Sequence, residues 1–365
     1  MKTMKKISAL ILSCALLIGG ALCVKAEEPT LPFNDLVEDA WYTSGIEYVY
    51  ENGIMSGMGN NKFAPAENVT REQIVKVLAT FEYLHPHSYK HSTGFDDVKV
   101  GQWYSSAISW ARTYKITSGV SENIFGFGQA VTREQLATFI KNYLVHTGTE
   151  VNIEGTLEAF DDAYEVSDWA KDSMIFCVSN GIIQGKTETT LDPKGYATRA
   201  ELAQMLSQFL EAGFLYRVTF DDNGADSCSV GFKYIAPGTM FGNLAHAEKE
   251  GFVDGGWWYG DIELSNDTVL DISEPITVTK LWCDGYRVVF SSNGGDRMEE
   301  GSRLINKGEP LGELPVPTRE GYTFEGWLYE YGEESYIVNA ESVIDHKEGQ
   351  LYMLIAQWAP VEVAE

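Results

Sequence analysis

The 365-residue sequence is poor in cysteine, in histidine and in positive charge. Of its five cysteines, Cys14 and Cys23 lie in an apolar N-terminal run, which leaves Cys177, Cys228 and Cys283. Three widely spaced thiols are not a disulfide framework. Cys177 falls on an apolar helical face and reads as core, while a Cys228–Cys283 pair stays open as an alternative. His85, His87 and His91 have no Cys or acidic ligand at a suitable spacing, so His85 to His91 reads as a solvated connector and no metal is expected. No EF-type loop offers calcium a site. Lys and Arg number 27 against 53 Asp and Glu, a formal charge of −26. That excess disfavours nucleic acid and anionic membrane as partners. After the N-terminal run no apolar stretch is long enough to span a bilayer. A nucleophile elbow, a zinc motif and a phosphate loop are all missing, so neither a catalytic residue nor a cofactor is expected.

What is present begins with an export signal over residues 1–26. Lys2, Lys5 and Lys6 precede an apolar stretch from Ile7 to Val24, and Val24-Lys25-Ala26 is a small-x-small cleavage site. Leu22 before Cys23 does not fit a lipoprotein signal, and Ser13-Cys14 comes too early in the run. Cleavage would remove four lysines and no acid, leaving a charge of −30. The C-terminal Val361 to Glu365 shows no hydrophobic tail or sorting signal. The expectation is a secreted chain without a covalent or membrane anchor.

Its length is too great for one core, and internal repeats divide it. Phe33-Asn34-Asp35, Phe95-Asp96-Asp97 and Phe160-Asp161-Asp162 open three units, followed by Trp41, Trp103 and Trp169. Thr70-Arg71-Glu72-Gln73, Thr132-Arg133-Glu134-Gln135 and Thr198-Arg199-Ala200-Glu201 come next, each opening an apolar helical pattern. Thr with Gln or Glu three residues on forms a capping box. Arg at the first helical position faces a positive macrodipole, so its recurrence points to an anion shared between the guanidinium and the free N–H groups of the helix end. An ion pair with a nearby Asp or Glu is the plainer alternative.

In each unit a first helix, with Ile46, Val49 and Tyr50 on one face of the first copy, leads through an extended stretch to the second. Ile74, Val77, Leu78 and Phe81, then Leu136, Phe139, Ile140 and Tyr143, then Leu202, Met205, Leu206 and Phe209 line the second helices, which are expected to pack together. Asp35, Asp97 and Asp162 have an ordinary role as helix caps or turn organisers. Trp41, Trp103 and Trp169 are divided between core and the wall of a sugar site.

The pattern Phe-x-Asp, Trp, Gly-Ile-x-x-Gly, Phe-x-Pro, Thr-Arg-x-Glu, over about Leu31 to Ala212, resembles S-layer homology modules. The resemblance implies a three-pronged, mainly helical pseudo-trimer that holds an exported protein on pyruvylated secondary cell-wall polysaccharide, at the cell surface, cell wall or S-layer. It places ligand contacts in grooves between the prongs. Here that means Arg71, Arg133 and Arg199, with Trp41, Trp103, Trp169, Gly57, Gly119, Gly185, Asp35, Asp97 and Asp162 as neighbours. Turn geometry alone is the alternative for the glycines. A pyruvate ketal presents a carboxylate, which Arg can hold through two parallel hydrogen bonds. The middle copy departs most from the pattern, with Tyr114-Lys115-Ile116 for Asn-Gly-Ile and Phe127 in place of Pro65 and Pro193, so the groove at its loop is the doubtful one.

After Ala212 the sequence turns to short alternating strands. Tyr216-Arg217-Val218-Thr219-Phe220 returns as Tyr286-Arg287-Val288-Val289-Phe290, and Asn223-Gly224 and Gly256-Trp257 return as Asn293-Gly294 and Gly326-Trp327, all offset by 70 residues. The second copy, with Leu314 to Trp327 and the closing Ala356-Gln357-Trp358, resembles the Listeria–Bacteroides repeat of internalin B-type proteins, which implies small β-grasp-like modules used as stalks or adhesive segments. Trp257 and Trp327 read as core.

The expected fold is thus multidomain. A signal over 1–26 precedes helical modules at 27–84, 93–146 and 158–212. A degenerate β repeat at 214–284 and a β repeat at 285–359 follow. The expected function is non-covalent wall anchoring without catalysis, with the β modules displayed as stalk or adhesin toward a protein or host partner. A wall-associated glycoside hydrolase is the alternative, but the paired acids Asp96-Asp97 and Asp161-Asp162 recur at structural starts and make poor catalytic pairs.

Overall fold

The computed structural model describes residues 31–82, 93–344 and 351–361. The expected signal, the histidine-bearing connector and the last four residues lie outside them. The N-terminal part is helical, and the C-terminal part is built on two five-stranded β-sheets, with two short two-stranded ones beside the first.

Six helices carry the first part: α1 (Thr43–Glu51), α2 (Arg71–Thr80), α3 (Ser105–Thr113), α4 (Arg133–His146), α5 (Lys171–Ser179) and α6 (Arg199–Glu211). Capping works as the sequence predicts. The side-chain oxygens of Gln73, Gln135 and Glu201 accept from the amides of Thr70, Thr132 and Thr198 at 3.0, 3.2 and 2.8 Å. Second-helix apolar positions are all buried, from Ile74 and Leu78 to Leu206 and Phe209. Tyr50 is a correction: it lies at the surface and meets the Phe33 ring edge-on at 5.0 Å, because the apolar face of α1 is only two residues wide, Ile46 and Val49.

Helices pair across repeats. α1 packs on α6, α2 on α3 and α4 on α5, so each prong takes a second helix from one module and a first helix from another. Three backbone bonds close the centre: Val69 N to Ala197 O, Ala197 N to Val131 O, and Val131 N to Val69 O, each 2.9 Å. The ring explains why one copy cannot stand alone, since each leaves a donor and an acceptor that only another copy satisfies. Phe81 lies between the rings of Tyr143 (5.7 Å) and Phe209 (6.2 Å), where the ends of the second helices meet.

The β part begins with β1 (Tyr216–Asp221), β2 (Phe232–Ile235), β3 (Val253–Tyr259), β4 (Ile262–Leu264) and β5 (Ile276–Cys283), in the order β2-β1-β5-β3-β4. The second sheet uses β6 (Gly285–Ser291), β7 (Ser302–Asn306), β8 (Tyr322–Tyr331), β9 (Glu334–Val338) and β10 (Leu351–Pro360), in the equivalent order β7-β6-β10-β8-β9. In each, the first and last strands pair in parallel and the other pairs are antiparallel. Among the described residues no helix crosses either sheet.

The repeated residues do the same work twice. Asn223-Gly224 and Asn293-Gly294 hold positive φ, as tight turns at these positions require. A bulge precedes each buried tryptophan, and the indoles of Trp257 and Trp327 donate to Ala245 O (2.7 Å) and Pro315 O (2.9 Å). No disulfide joins the described cysteines: Cys228 Sγ faces Val230 O, and Cys283 Sγ faces Asn306 Oδ1 across the junction of the two sheets. Cys177 is buried core.

The first sheet is docked on the helical part. Tyr234 N donates to Phe81 O (2.8 Å), its ring meets Phe81 edge-on at 5.0 Å, and Arg217 Nη1 donates to Asn52 Oδ1 (2.8 Å).

Candidate functional site

Each Thr-Arg helix start abuts another module. The amides of Arg71, Arg133 and Arg199 donate to Gln129 O (3.0 Å), Gly195 O (3.0 Å) and Glu67 O (2.8 Å). The next amides in the second and third copies, on Glu134 and Ala200, donate to Pro193 O and Pro65 O. These helix-end N–H groups are therefore not free to share an anion with the arginine. The helix starts converge on the central ring, where an unpaired buried N–H would be costly, and neighbouring carbonyls satisfy them first.

The guanidinium groups are held by the same neighbours. Nε of Arg71, Arg133 and Arg199 donates to Phe125 O (2.7 Å), Leu191 O (2.8 Å) and Phe63 O (2.8 Å). Nη2 reaches Thr117 Oγ1 (3.2 Å), Gln184 O (2.5 Å) and Ser56 O (2.8 Å). Each arginine ties together two loops of another module, and each is at most 5 % exposed. Burial pulls all three pKa values down, while nearby carboxylates, Asp97 and Glu72 at Arg71 and Glu201 first at Arg133, pull them back. Guanidinium stays cationic through such shifts.

Nη1 distinguishes the copies. On Arg71 and Arg199 it has no hydrogen bond among the described residues. On Arg133 it faces Glu201 Oε1 at 3.4 Å. The plainer expectation, an ion pair with an internal acid, thus holds for one arginine of three.

Arg71 lines a groove of about 640 Å³, with Thr117, Gly119, Gln135, Asn142 and Trp169 among its walls. Three modules build it: the first supplies Arg71, the second the Thr117–Gly119 loop and α4, the third Trp169. The groove at the middle copy's loop, doubtful from sequence, is open. Lys115 keeps the loop's path by adopting φ 59°, close to the 67° and 70° of Gly53 and Gly181. Gly126 stands where the other copies have Ala64 and Asp192, all three at positive φ, so the turn keeps its form although Phe127 replaces the proline that follows.

Trp41, Trp103 and Trp169 are 62, 60 and 57 % exposed, which removes them from the core. Trp169 sits on a turn anchored from beneath. Glu134 accepts from Ser167 N (2.9 Å) and Lys194 Nζ (2.7 Å), which fixes the residues leading into the tryptophan.

Asp35, Asp97 and Asp162 take the second of their two expected roles, as turn organisers. Asp35 accepts from the amides of Phe63 and Ala64, Asp97 from Phe125, Gly126 and Phe127, and Asp162 from Leu191 and Asp192, at 2.7–2.9 Å. Each carboxylate reaches about 28 residues ahead to hold the turn whose carbonyl the arginine grips. They cap no helix and face the backbone. For Asp97 burial alone would raise the pKa, but the Phe127, Phe125 and Gly126 amides hold it below the usual value. Gly57, Gly119 and Gly185 answer to turn geometry. A Cβ there would stand 2.6 Å from the Phe33 ring, 2.4 Å from Ile124 O and 2.2 Å from Thr187 O, and Gly119 lines the groove as well.

Nothing local in the sequence marks Thr117, Gln135 or Asn142 as groove residues, and the capping box alone accounts for Gln135. Its second role, beside the arginine of the preceding module, needs the threefold arrangement.

A model of the S-layer homology domain matches residues 32–75, 94–137 and 159–203, and a model of the Listeria-Bacteroides repeat domain matches residues 286–347. Similar proteins include the exoglucanase XynX of Acetivibrio thermocellus, 32 % identical over 184 residues, which are 50 % of this chain and 16 % of that one. The amylopullulanase of Thermoanaerobacterium thermosulfurigenes is 33 % identical over 181 residues, 49 % of this chain and 9 % of its own. The surface-layer 125 kDa protein of Lysinibacillus sphaericus is 27 % identical over 201 residues, 54 % of this chain and 16 % of its own. The chain therefore spans less than a fifth of the length of these relatives. With its three motif sets matched in order and a β repeat behind them, this is a chain of three S-layer homology domains followed by a Listeria-Bacteroides repeat domain.

Proposed function

We propose that the helical part anchors the protein non-covalently to cell-wall polysaccharide, and that the ligand is a sugar carrying a pyruvate ketal. S-layer homology domains mark an exported, cell-surface protein, and among the described residues no helix is long and apolar enough to cross a membrane. The observation that carries the reading is Arg71 Nη1, a charged donor without a partner among the described residues, on a groove walled by the exposed indole of Trp169. A carboxylate would be bound by the guanidinium and Gln135, while Trp169 would stack on the apolar face of the ring. Asp35, Asp97 and Asp162 would act from behind, holding the loops. The β modules, which we read as β-grasp-like on the support of their parallel first-to-last strand pairing alone, would be displayed outward as stalk or adhesin.

No bond is made or broken in this account. The glycoside hydrolases among the similar proteins match this chain over about half its length, so the likeness fits a shared anchor attached to different cargo. Retention on purified walls tests the proposal. Arg71→Ala should weaken it by about 2–5 kcal/mol, the cost of stranding a desolvated carboxylate, and Trp169→Ala should weaken it by about 1 kcal/mol or more. Retention that survives chemical removal of the pyruvyl groups would reject the ligand assignment. Release of labelled wall fragments would reject the non-catalytic reading.

A further inference from the structure

The three grooves share one plan but not one filling. At the offset of 66 residues that relates the second and third copies, Ser118, Val120, Gln135 and Asn142 of the Arg71 groove correspond to Gln184, Lys186, Glu201 and Gln208 around Arg133. Every one of these exchanges gives a longer or charged side chain, and these side chains meet across the gap. Lys186 Nζ contacts Glu201 Oε1 at 2.5 Å, joining the loop wall to α6. The same oxygen faces Arg133 Nη1 at 3.4 Å. Gln184 Nε2 lies 2.7 Å from the Gln208 amide, whose oxygen accepts from it when its nitrogen donates to Ile182 O (3.0 Å) and Gly181 O (3.2 Å). Two wall-to-wall links therefore span the space that Ser118 and Val120 leave open around Arg71.

We infer that the Arg133 groove is latched shut against anionic ligands by Glu201, and that the chain binds its wall sugar through the Arg71 and Arg199 grooves only. Glu201 fills the role the ligand carboxylate would have: it faces Nη1 and brings negative charge to the place where the Arg71 groove presents the neutral Gln135. A ligand carboxylate would have to displace an internal one that is itself bonded to Lys186 and to the Thr198 amide. The Arg199 groove takes Gln73 at the equivalent position by the repeat; Glu67 and Asp35 lie near Arg199, but among the described residues its guanidinium is bonded to backbone carbonyls and to no carboxylate. Glu201 is thus a determinant of how many sites are open, and glutamine there keeps the capping bond, as Gln73 and Gln135 do.

The inference rests on the ketal reading above, and the test separates the two. The full chain is titrated by calorimetry with a methyl hexopyranoside bearing a 4,6-linked pyruvate ketal, and with the same sugar lacking it. Wild type should show two sites, Glu201→Gln three, and the double variant Glu201→Gln with Arg133→Ala two again. A wild type that takes up three equivalents, or a Glu201→Gln variant with unchanged stoichiometry and intact helical signal, would overturn the latch while leaving the ketal reading in place. Equal binding of the two sugars would overturn the ketal reading and the latch with it.

Discussion

The carboxylate of Asp97 and the guanidinium of Arg71 act on one turn from opposite sides. Asp97 takes the amides of Phe125, Gly126 and Phe127, and Arg71 takes the carbonyl of Phe125. The pairing explains why both recur in every copy, and why the arginine tolerates its own helix dipole: several hydrogen bonds to a charged group outweigh a dipole term of under 1 kcal/mol. The aspartates were legible from the sequence as turn organisers. That each turn lies some 28 residues on, in the path of another module's arginine, was not. Lys233 makes the residue-scale prediction. It is buried, donates to Phe241 O and Asn243 O, and its pKa is lowered to about 8 by burial, with Glu82 pulling it back up. A lysine depressed in the folded state binds its proton better when unfolded, so stability should rise with pH between about 8 and the normal lysine range. Urea unfolding at pH 7 and pH 9.5 should show the rise, and Lys233→Met should flatten it. A wild-type stability that falls over that window would contradict the sign.

At the scale of elements, the second helices organise the helical part. Their apolar stripes were fully readable, because a 3.6-residue period is local information. Their partners were not. The expectation that the second helices pack together holds where Phe81 meets Tyr143 and Phe209, yet each prong pairs a second helix with the first helix of another module. The exchange arises because the stretch between the helices runs through the central ring of Val69, Val131 and Ala197. Phe81 is fully buried and also carries Tyr234 of the first sheet. Phe81→Ala should therefore cost about 3–5 kcal/mol. It should also expose the linkage between helical part and first sheet to limited proteolysis at protease levels that leave the wild type intact. Loss of stability without new cleavage would show that the docking of β2 does not depend on this ring.

At the scale of the whole molecule, charge sets the terms of binding. A chain of formal charge −26 repels an anionic polymer, so capture must come from a local cation inside an unfavourable field. The Debye length falls from about 30 Å at 0.01 M salt to about 8 Å at 0.15 M. Long-range repulsion is screened over that interval, while a buried contact such as that proposed for Arg71 is screened far less. The association rate with immobilised wall polymer should therefore rise with salt across this range, the reverse of what a basic polymer-binding protein shows. A rate that falls steeply would mean that exposed cations, and not the grooves, make the encounter. Docking of the first sheet through Arg217 and Tyr234 further implies that this sheet is held against the helical part and does not swing on a free linker.

By itself the sequence determined the repeats, the helix starts, the apolar stripes, the buried tryptophans of the sheets and the loop positions that only glycine fits. All of these follow from local periodicity, capping chemistry and steric rules acting within a few residues. Only the tertiary structure decided which module completes which groove, which tryptophans face solvent, and that Glu201 faces Arg133 while Arg71 Nη1 meets no partner among the described residues. Those outcomes depend on residues brought together around a pseudo-threefold axis from distant positions, Arg71 and Thr117 being 46 apart and Arg199 and Ser56 143 apart. The same motif therefore reads alike three times along the chain and acts differently where its surroundings supply Glu201.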